Sequence, residues 1–490
     1  MRVRIGACLA AASLAAVAGC DLAPTYDPPA LLTPIPAAYK SGGHWQKAVP
    51  SDTLPRGPWW EAYGDPLLNR LEGDLIAANP DLASAVAHYD SARAYVAEVN
   101  SGLFPFISVG GSNTSYQQSQ QAPRRRPGLY PNQFGDNILD MQASYEIDLW
   151  DRVHNQIAAA QAEAQATAAE LENVRLSLEA ELANDYALLR GFDAQIKLLA
   201  DTSFAYAGNF KLVQTRYAGK IASGIDMAQA KLDLDSARSL EAQIIAQRAL
   251  VEHAIATLVG QPASVFTIPR VDALTLVLPN TPTGVPATLL QRRPDIAAAE
   301  RRVAAANRIV GVARAAFFPS LTLGAVGGFE NSLGAELFSL PLSFWTVGPG
   351  YILPLFEGGL RHAALAQSYA DLRDYTEQYR ATVLRAFQDV EDQLALLNNL
   401  SLATAAEREA ADDATRYYDL SYKAFLEGQI NYLDVEIAET AALNARRQVI
   451  AIETQVLQAN VRLVRSLGGG WSTKDLPTPD AVTDYTPTKS

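Results

Sequence analysis

The carboxylates and amides of residues 139–149 are spaced so that they could line a water-filled space. This segment alternates apolar and polar residues without a break, which predicts a β-strand with two different faces. The apolar face holds Leu139, Met141, Ala143, Tyr145, Ile147 and Leu149. The polar face holds Asp140, Gln142, Ser144, Glu146 and Asp148. A soluble sandwich could use this pattern, and so could a membrane barrel, in which the polar set would face the lumen.

Catalytic and metal-binding motifs are missing from the sequence. It contains no His-Glu-x-x-His, no Walker A loop and no Gly-x-Ser-x-Gly, and its two cysteines do not form a motif. The histidines are scattered, and we interpret each one as a surface or packing residue: His44, His88, His154, His253 and His362. We therefore predict that the protein is not an enzyme and that it binds no cofactor and no metal.

The N-terminus has the organisation of an export signal that ends at Cys20. Two arginines precede an apolar stretch over residues 5–18, which is shorter than the roughly 20 residues that span a bilayer. Gly19-Cys20 resembles the end of a bacterial lipobox, where the cysteine is acylated and becomes the first residue. We predict a signal peptide over 1–19, lipidation at Cys20 and an extended tether over 20–60. The alternative is an ordinary signal with a chance cysteine.

Charge and hydropathy restrict the partners of the chain. The 53 acidic and 40 basic residues give a net charge of −13, which disfavours nucleic acid as a partner. After the signal, no run of 18 or more apolar residues occurs. Any further membrane spanning must therefore use strands, because only helices and closed barrels satisfy the backbone in lipid.

The second half of the chain repeats the first. A repeat is indicated because five short sequences recur in the same order. The pairs are Asn79-Pro80-Asp81 with Arg293-Pro294-Asp295, Leu103-Phe104-Pro105 with Phe317-Phe318-Pro319, Tyr145–Trp150 with Tyr351–Phe356, Gly219-Lys220-Ile221 (then Asp226) with Gly428-Gln429-Ile430 (then Asp434), and Val259-Gly260 with Leu467-Gly468.

Each half is predicted to form a helix, a β-hairpin and a long helical hairpin. The boundaries are 61–270 for the first repeat (β-hairpin 104–150, helical hairpin 152–260), 271–470 for the second (β-hairpin 318–356, helical hairpin 360–467) and 471–490 for a C-terminal tail. Glycines mark the tips of the helical hairpins: Gly219, Gly224 and Gly428. A helix of about 65 residues spans roughly 100 Å. We expect an opening helix over about 66–100 to stack end to end with the returning helix and match that length.

Four strands per chain imply an oligomer. Membrane barrels have at least about eight strands, and an open edge in lipid would leave backbone groups unpaired. Three copies would supply twelve strands. A lipid-facing side is predicted for two segments of the second half: Leu321, Leu323 and Ala325, and then Trp345, Val347, Tyr351, Leu353 and Leu355.

The sequence resembles the outer-membrane factor lipoproteins of tripartite efflux systems, in the OprM/NodT branch of the TolC superfamily. The resemblance covers nearly the whole mature chain. The segments that carry it are Gly19-Cys20, Pro24-Thr25-Tyr26-Asp27-Pro28, Arg292-Arg293-Pro294-Asp295-Ile296, Phe317-Phe318-Pro319-Ser320-Leu321 and Leu355-Phe356-Glu357-Gly358-Gly359.

The resemblance implies a mainly α-helical fold with a membrane β-barrel. The chain would form a homotrimer with a twelve-stranded barrel in the outer membrane of a Gram-negative bacterium, continued by a long periplasmic α-helical barrel. Its partners would be outer-membrane lipid, a periplasmic adaptor and an inner-membrane pump of the RND type. Such a trimer is a passive exit duct for drugs and toxic compounds.

The resemblance also places a periplasmic aperture at the hairpin tips. By position its acidic residues are Asp434 and Asp226, and a ring of carboxylates would attract cations. The alternative is a solvated Asp that complements the helix dipole. One turn after Asp434 the TolC pattern has a second Asp, but Ile437 stands here, so the match to a double acidic ring does not extend to this position.

Two other functions stay open from the sequence. A type I protein-secretion channel would use the same architecture, and the lipobox favours efflux over it. A periplasmic adaptor lipoprotein would be expected to hold one helical hairpin with small β domains. This chain instead holds two hairpins, each preceded by two amphipathic strands, which favours a channel.

Overall fold

The computed structural model describes residues 21–31, 34–36, 38–41, 57–117, 119, 121, 133–279, 281, 289–332 and 338–484. The predicted signal peptide, Cys20, part of the predicted tether and the last six residues of the predicted tail lie outside the described residues. Within them the chain consists mainly of long α-helices and one antiparallel sheet. The elements are α1 (Pro66–Ala78), α2 (Pro80–Asn100), β1 (Phe106–Gln117), β2 (Gln133–Ile147), α3 (Arg152–Ala218), α4 (Gly224–Leu258), α5 (Leu289–Arg292), α6 (Pro294–Ala315), β3 (Ser320–Asn331), β4 (Ser343–Ile352), α7 (Leu360–Leu426), α8 (Tyr432–Ser466) and α9 (Pro479–Thr483).

Long helices recur with the same lengths in the two halves. α3 and α7 each contain 67 residues, and α4 and α8 each contain 35. At 1.5 Å per residue, each of the longer helices is about 100 Å long. In each half the longer helix packs antiparallel on the shorter one, and α3 also contacts α8, so the two helical hairpins lie side by side.

The expected opening helix over about 66–100 is wrong in one respect, because it breaks at Asn79. Pro80 starts α2 and cannot donate a backbone hydrogen bond, and the residue before a proline is pushed into an extended conformation. Asn79 accepts a hydrogen bond at its Oδ1 from the backbone N–H of Leu82 (2.9 Å), which caps the new helix. Only α2, with 21 residues, therefore stacks on α4.

The junction at this break explains why the repeated sequences recur. The Asn79 side chain donates to the carbonyl oxygen of Leu258 at the end of α4 (2.8 Å), and Arg293 donates to that of Ser466 at the end of α8 (3.2 Å). Gly260 has φ +69°, and a Cβ there would lie 2.4 Å from the carbonyl oxygen of Ala78. Glycine is required at this position because of both the left-handed backbone and the close approach. The returning helix thus ends against the start of the second part of the opening helix.

The four strands form one antiparallel sheet in the order β1-β2-β3-β4. β4 ends at Ile352, so Leu353 and Leu355, which we expected on the strand, follow it. The nearby Pro354 cannot donate to a strand ladder. Asp148 and Leu149 likewise lie beyond β2, which ends at Ile147. Along the described chain, β1 and β4 each have one edge without a neighbouring strand.

Residues 21–41, where described, form an extended strap across α6 and α7. The Asp21 carboxylate accepts hydrogen bonds from Asn155 (2.9 Å) and Arg308 (3.0 Å). At the other end, Glu391 accepts hydrogen bonds from the backbone N–H groups of Lys40 (2.6 Å) and Ser41 (2.9 Å). The strap therefore begins beside the sheet and runs along the helices away from it. None of the helices in the described part of the chain has the length and apolarity needed to cross a membrane.

Candidate functional site: sheet faces and hairpin tips

One face of the sheet is apolar across all four strands. Residues directly opposite each other in neighbouring strands point to the same side. The register puts these rows on one face: Ile107, Ala143, Ala325 and Val347; Val109, Met141, Gly327 and Trp345; and Ile147, Leu321 and Tyr351. Trp345 is 78% exposed and Tyr351 is 80% exposed. An exposed apolar face of this size needs a covering apolar phase or partner.

The opposite face holds Asp140, Gln142, Ser144 and Glu146, in the arrangement that the alternation predicted. Gln142 donates from its side chain to the Asp140 carboxylate (3.1 Å). The same face also carries Phe106, Val326 and Phe344, so it mixes polar and apolar residues.

Two of the five predicted lumen residues also organise the start of α3. Glu146 accepts a hydrogen bond from Arg152 Nε (2.8 Å), and Asp148 accepts one from the backbone N–H of His154 (2.9 Å). A carboxylate is favourable there because the first N–H groups of a helix have no partner within it. Asp148, Asp151 and His154 place ligand atoms within 4.8 Å of one another. Because Asp148 is already used by the helix, this cluster is explained without an ion.

The hairpin tips differ from the predicted alignment by one residue. α3 ends at Ala218, and the left-handed residue of the first tip is Lys220 (φ +61°), whereas Gly219 has φ −79°. In the second tip the left-handed residue is Gly428 (φ +76°). Gly428 therefore corresponds to Lys220. Gly224 is the first residue of α4.

Asp226 and Asp434 occupy matching positions near the starts of α4 and α8, but their side chains do different things. The Asp226 carboxylate accepts hydrogen bonds from the backbone N–H (2.8 Å) and Oγ–H (2.9 Å) of Ser223, which forms a capping box. The backbone N–H of Asp434 donates to Asn431 Oδ1 (3.1 Å). Within the described residues, the Asp434 carboxylate accepts no hydrogen bond, so it is available to solvent ions.

The two tips of one chain pack against each other through an apolar cluster. Val213 and Ala230 of the first hairpin are buried with Tyr432 of the second. The Arg216 guanidinium lies over the Phe425 ring, 4.7 Å from its centroid. Such a cation–π contact adds to the apolar packing. The tips are therefore joined within a single chain.

A buried carboxyl near the tips was not predicted from the sequence. Glu439 of α8 is only 8% exposed, and Asn209 of α3 donates to it at 3.4 Å. The sequence feature that could have indicated its burial is its spacing on α8, because Val435, Ala438, Glu439 and Ala442 follow the helical spacing of one buried face. Whether that face is covered depends on how the two hairpins pack, which the spacing does not reveal.

Comparison with known proteins agrees with this geometry. The family model described as "Outer membrane efflux protein" matches residues 71–261 and 285–469. The chain is 32% identical to a probable efflux pump outer membrane protein, SepC of Pseudomonas putida, over 93% of this chain and 95% of that protein. The same values hold for TtgF, a toluene efflux pump outer membrane protein from another strain of Pseudomonas putida.

Solved structures show the same fold. The outer-membrane channel OprN is 27% identical, with a TM-score of 0.83, over 92% of this chain and all of that chain. The resemblance and the fold class predicted from the sequence are thus confirmed, as is the efflux function. The chain belongs to the outer membrane efflux protein family.

Proposed function

We propose that three copies of this chain close one twelve-stranded barrel in the outer membrane and form a passive exit duct. The observation that carries the proposal is the sheet itself. It has two edges without a neighbouring strand among the described residues, one exposed apolar face and one face with Asp140, Gln142 and Ser144. Edge pairing between copies would satisfy the backbone, place the apolar face in lipid and turn the polar set toward a wet lumen.

The helical hairpins would continue this duct through the periplasm. The exposed apolar residues Ile221 and Ile225 at the first tip, each 80% exposed, offer a surface for a partner. We assign that partner as a periplasmic adaptor that links the duct to an inner-membrane pump of the RND type. Because TtgF is a toluene efflux protein, small organic molecules are the proposed cargo here.

The proposed aperture lies at the hairpin tips, where the Asp434 carboxylates of the three chains would form an acidic ring. In planar bilayers, the purified protein should form small, cation-preferring channels, because three carboxylates face a narrow opening. Asp434→Ala should raise conductance several-fold and weaken the cation preference. Asp226→Ala is the matched control, since that carboxylate is engaged by Ser223. An unchanged Asp434→Ala channel would refute the aperture assignment, and the absence of any channel would refute the duct.

Cys20 is the proposed site of lipidation, supported by the strap that follows it. Asp21 is tied to Asn155 and Arg308, and Arg314 donates to the carbonyl oxygen of Leu22 (3.1 Å). Asn155 lies near the start of α3, so an acyl chain on Cys20 would emerge beside the sheet. Two or three acyl chains anchor a protein stably where one does not.

Intact mass of the protein from native membranes should show cleavage before Cys20 and added acyl chains. Cys20→Ser should abolish that added mass, because serine supplies no thiol for the thioether bond. A mature chain that carries an unmodified, alkylatable Cys20 thiol would contradict the anchor.

A further inference from the structure

Glu439 joins the two helical hairpins of one chain at a point where four helices meet. Its carboxylate accepts a hydrogen bond from Asn209 of α3 (3.4 Å to Oε1) and lies beside the Tyr418 side chain of α7. Glu439 itself belongs to α8, and α4 contributes Asp233 to the same junction. Glu439 as a residue is 8% exposed and lies little more than one helical turn from Asp434.

Among the described residues, the charged groups that act most strongly on Glu439 are acidic. They are Asp233 of α4 and Glu436 of α8. Four tyrosines of α3, α7 and α8 also belong to the junction: Tyr206, Tyr418, Tyr422 and Tyr432. Burial raises the pKa of Tyr206, Tyr418 and Tyr432, and an ionised Glu439 would therefore meet neutral hydroxyls and two like charges.

Protonation of Glu439 therefore bears on the packing of the hairpins. Burial, with Asp233 and Glu436 adding to it, raises the pKa of Glu439 from 4.5 to about 7, although Tyr418 and Asn209 oppose the shift. Burial and Glu436 likewise raise the pKa of Asp233 to about 6. A raised acid pKa means that the packed arrangement favours the neutral form. The contribution of neutral Glu439 to the stability of the packed hairpins is complete below about pH 4.5 and is lost as pH rises through about 7.

We propose that Glu439 is a protonation-dependent brace, which holds the two hairpins together when neutral and loosens them when ionised. The brace would act on the aperture, because α8 carries both Glu439 and Asp434. Its effect would be to limit leakage through the duct in acidic surroundings and to ease opening near neutral pH. This inference rests on the proposed duct function.

Single-channel recording of the purified protein between about pH 5 and about pH 8 tests the brace. The wild type should show a several-fold rise in open-channel current centred near pH 7. Glu439→Gln should remove the rise and keep the low-current state, because the amide stays neutral and its oxygen can still accept from Asn209. Asp419→Asn is the matched control, since Asp419 is exposed on α7 next to Tyr418, and it should keep the wild-type response.

A second variant tests the titration of Glu439 while leaving the Glu439 side chain in place. Glu436→Gln removes one like charge beside Glu439, so the midpoint of the rise should move to lower pH while the current in acid is unchanged. The rise should also persist in Asp434→Ala, which removes the proposed aperture carboxylate. This set of variants remains informative even if Glu439→Gln assembles poorly.

The brace would be overturned by channels whose current does not change with pH, or by a Glu439→Gln protein that keeps the wild-type pH response. An unmoved midpoint in Glu436→Gln would count against it in the same way. If no channels form at any pH, the duct itself fails, so the two failures are distinguishable.

Discussion

Asp193→Asn is expected to lower the free energy of unfolding by about 3–5 kcal/mol, the usual cost of leaving a buried charge unpaired. Asp193 is fully buried in α3 and bridges two arginines. Its Oδ2 accepts from Arg190 Nη1 (2.9 Å), and its Oδ1 accepts from Arg248 Nε of α4 (2.6 Å). The amide would keep the shape of the carboxylate but none of its charge, and it would turn one donor toward a guanidinium.

The rest of this cluster cannot compensate for that loss. Arg248 also donates to the carbonyl oxygen of Ile268 (2.7 Å), and Arg190 donates to that of Pro269 (2.8 Å). Both arginines thus hold the segment after α4, which contains Ile268 and Pro269, against the helical hairpin by hydrogen bonds. With Asp193 neutral, Glu252 still pairs with Arg248 (3.0 Å), but Arg190 keeps no acidic partner among its described contacts.

Denaturant titration in detergent, followed by circular dichroism, measures this effect. The control is Asp201→Asn on the same helix, where an exposed carboxylate pairs with Lys197 (2.6 Å). Exposed pairs contribute little to stability, so the control should unfold like the wild type. Equal stability of Asp193→Asn and Asp201→Asn would contradict the account of the buried cluster.

Val347→Arg should sharply reduce the amount of protein assembled in the outer membrane. Val347 lies in the middle of β4 on the apolar face, opposite Ala325, and is exposed in the single chain. An arginine on the lipid face near the bilayer midplane costs roughly 2–4 kcal/mol in membrane barrels. A closed trimer would incur that cost three times.

Thr346→Arg is the matched control, because Thr346 precedes Val347 on the same strand and points to the other face. Thr346 is opposite Val326, in the row that contains Gln142. On a lumen side the new guanidinium would be hydrated, so assembly should continue and only the ion selectivity should change. Comparison of the protein in purified outer membranes by immunoblot checks both variants. If Thr346→Arg abolishes assembly and Val347→Arg does not, the two faces have been assigned the wrong way round.

The sequence predicted the long helices and the faces of the sheet well, because both depend on local periodicity. α3 and α7 begin at the expected residues, and the alternation in β2 placed Asp140 and Gln142 on a common face. The break at Asn79-Pro80 was visible as a motif. It was missed although proline favours the first turn of a helix and disrupts a helix interior; the contact of Asn79 with Leu258 fixes the new start there.

The functional residues were harder to predict where tertiary packing determines the burial and the hydrogen bonds of a side chain. Nothing local distinguishes Asp226, whose carboxylate caps a helix, from Asp434, whose carboxylate accepts no hydrogen bond from the described residues. Glu439 was missed because its burial depends on four helices that are distant in sequence. The tip alignment was off by one residue because the left-handed position is held by a lysine, Lys220, where a glycine was expected.

The mass of the particle extracted from outer membranes in mild detergent tests the central claim most directly. Native mass spectrometry should find three chains per particle, since four strands per chain cannot close a barrel and three copies supply twelve. A particle that contains one chain would contradict the shared barrel, and with it the lumen, the aperture and the duct.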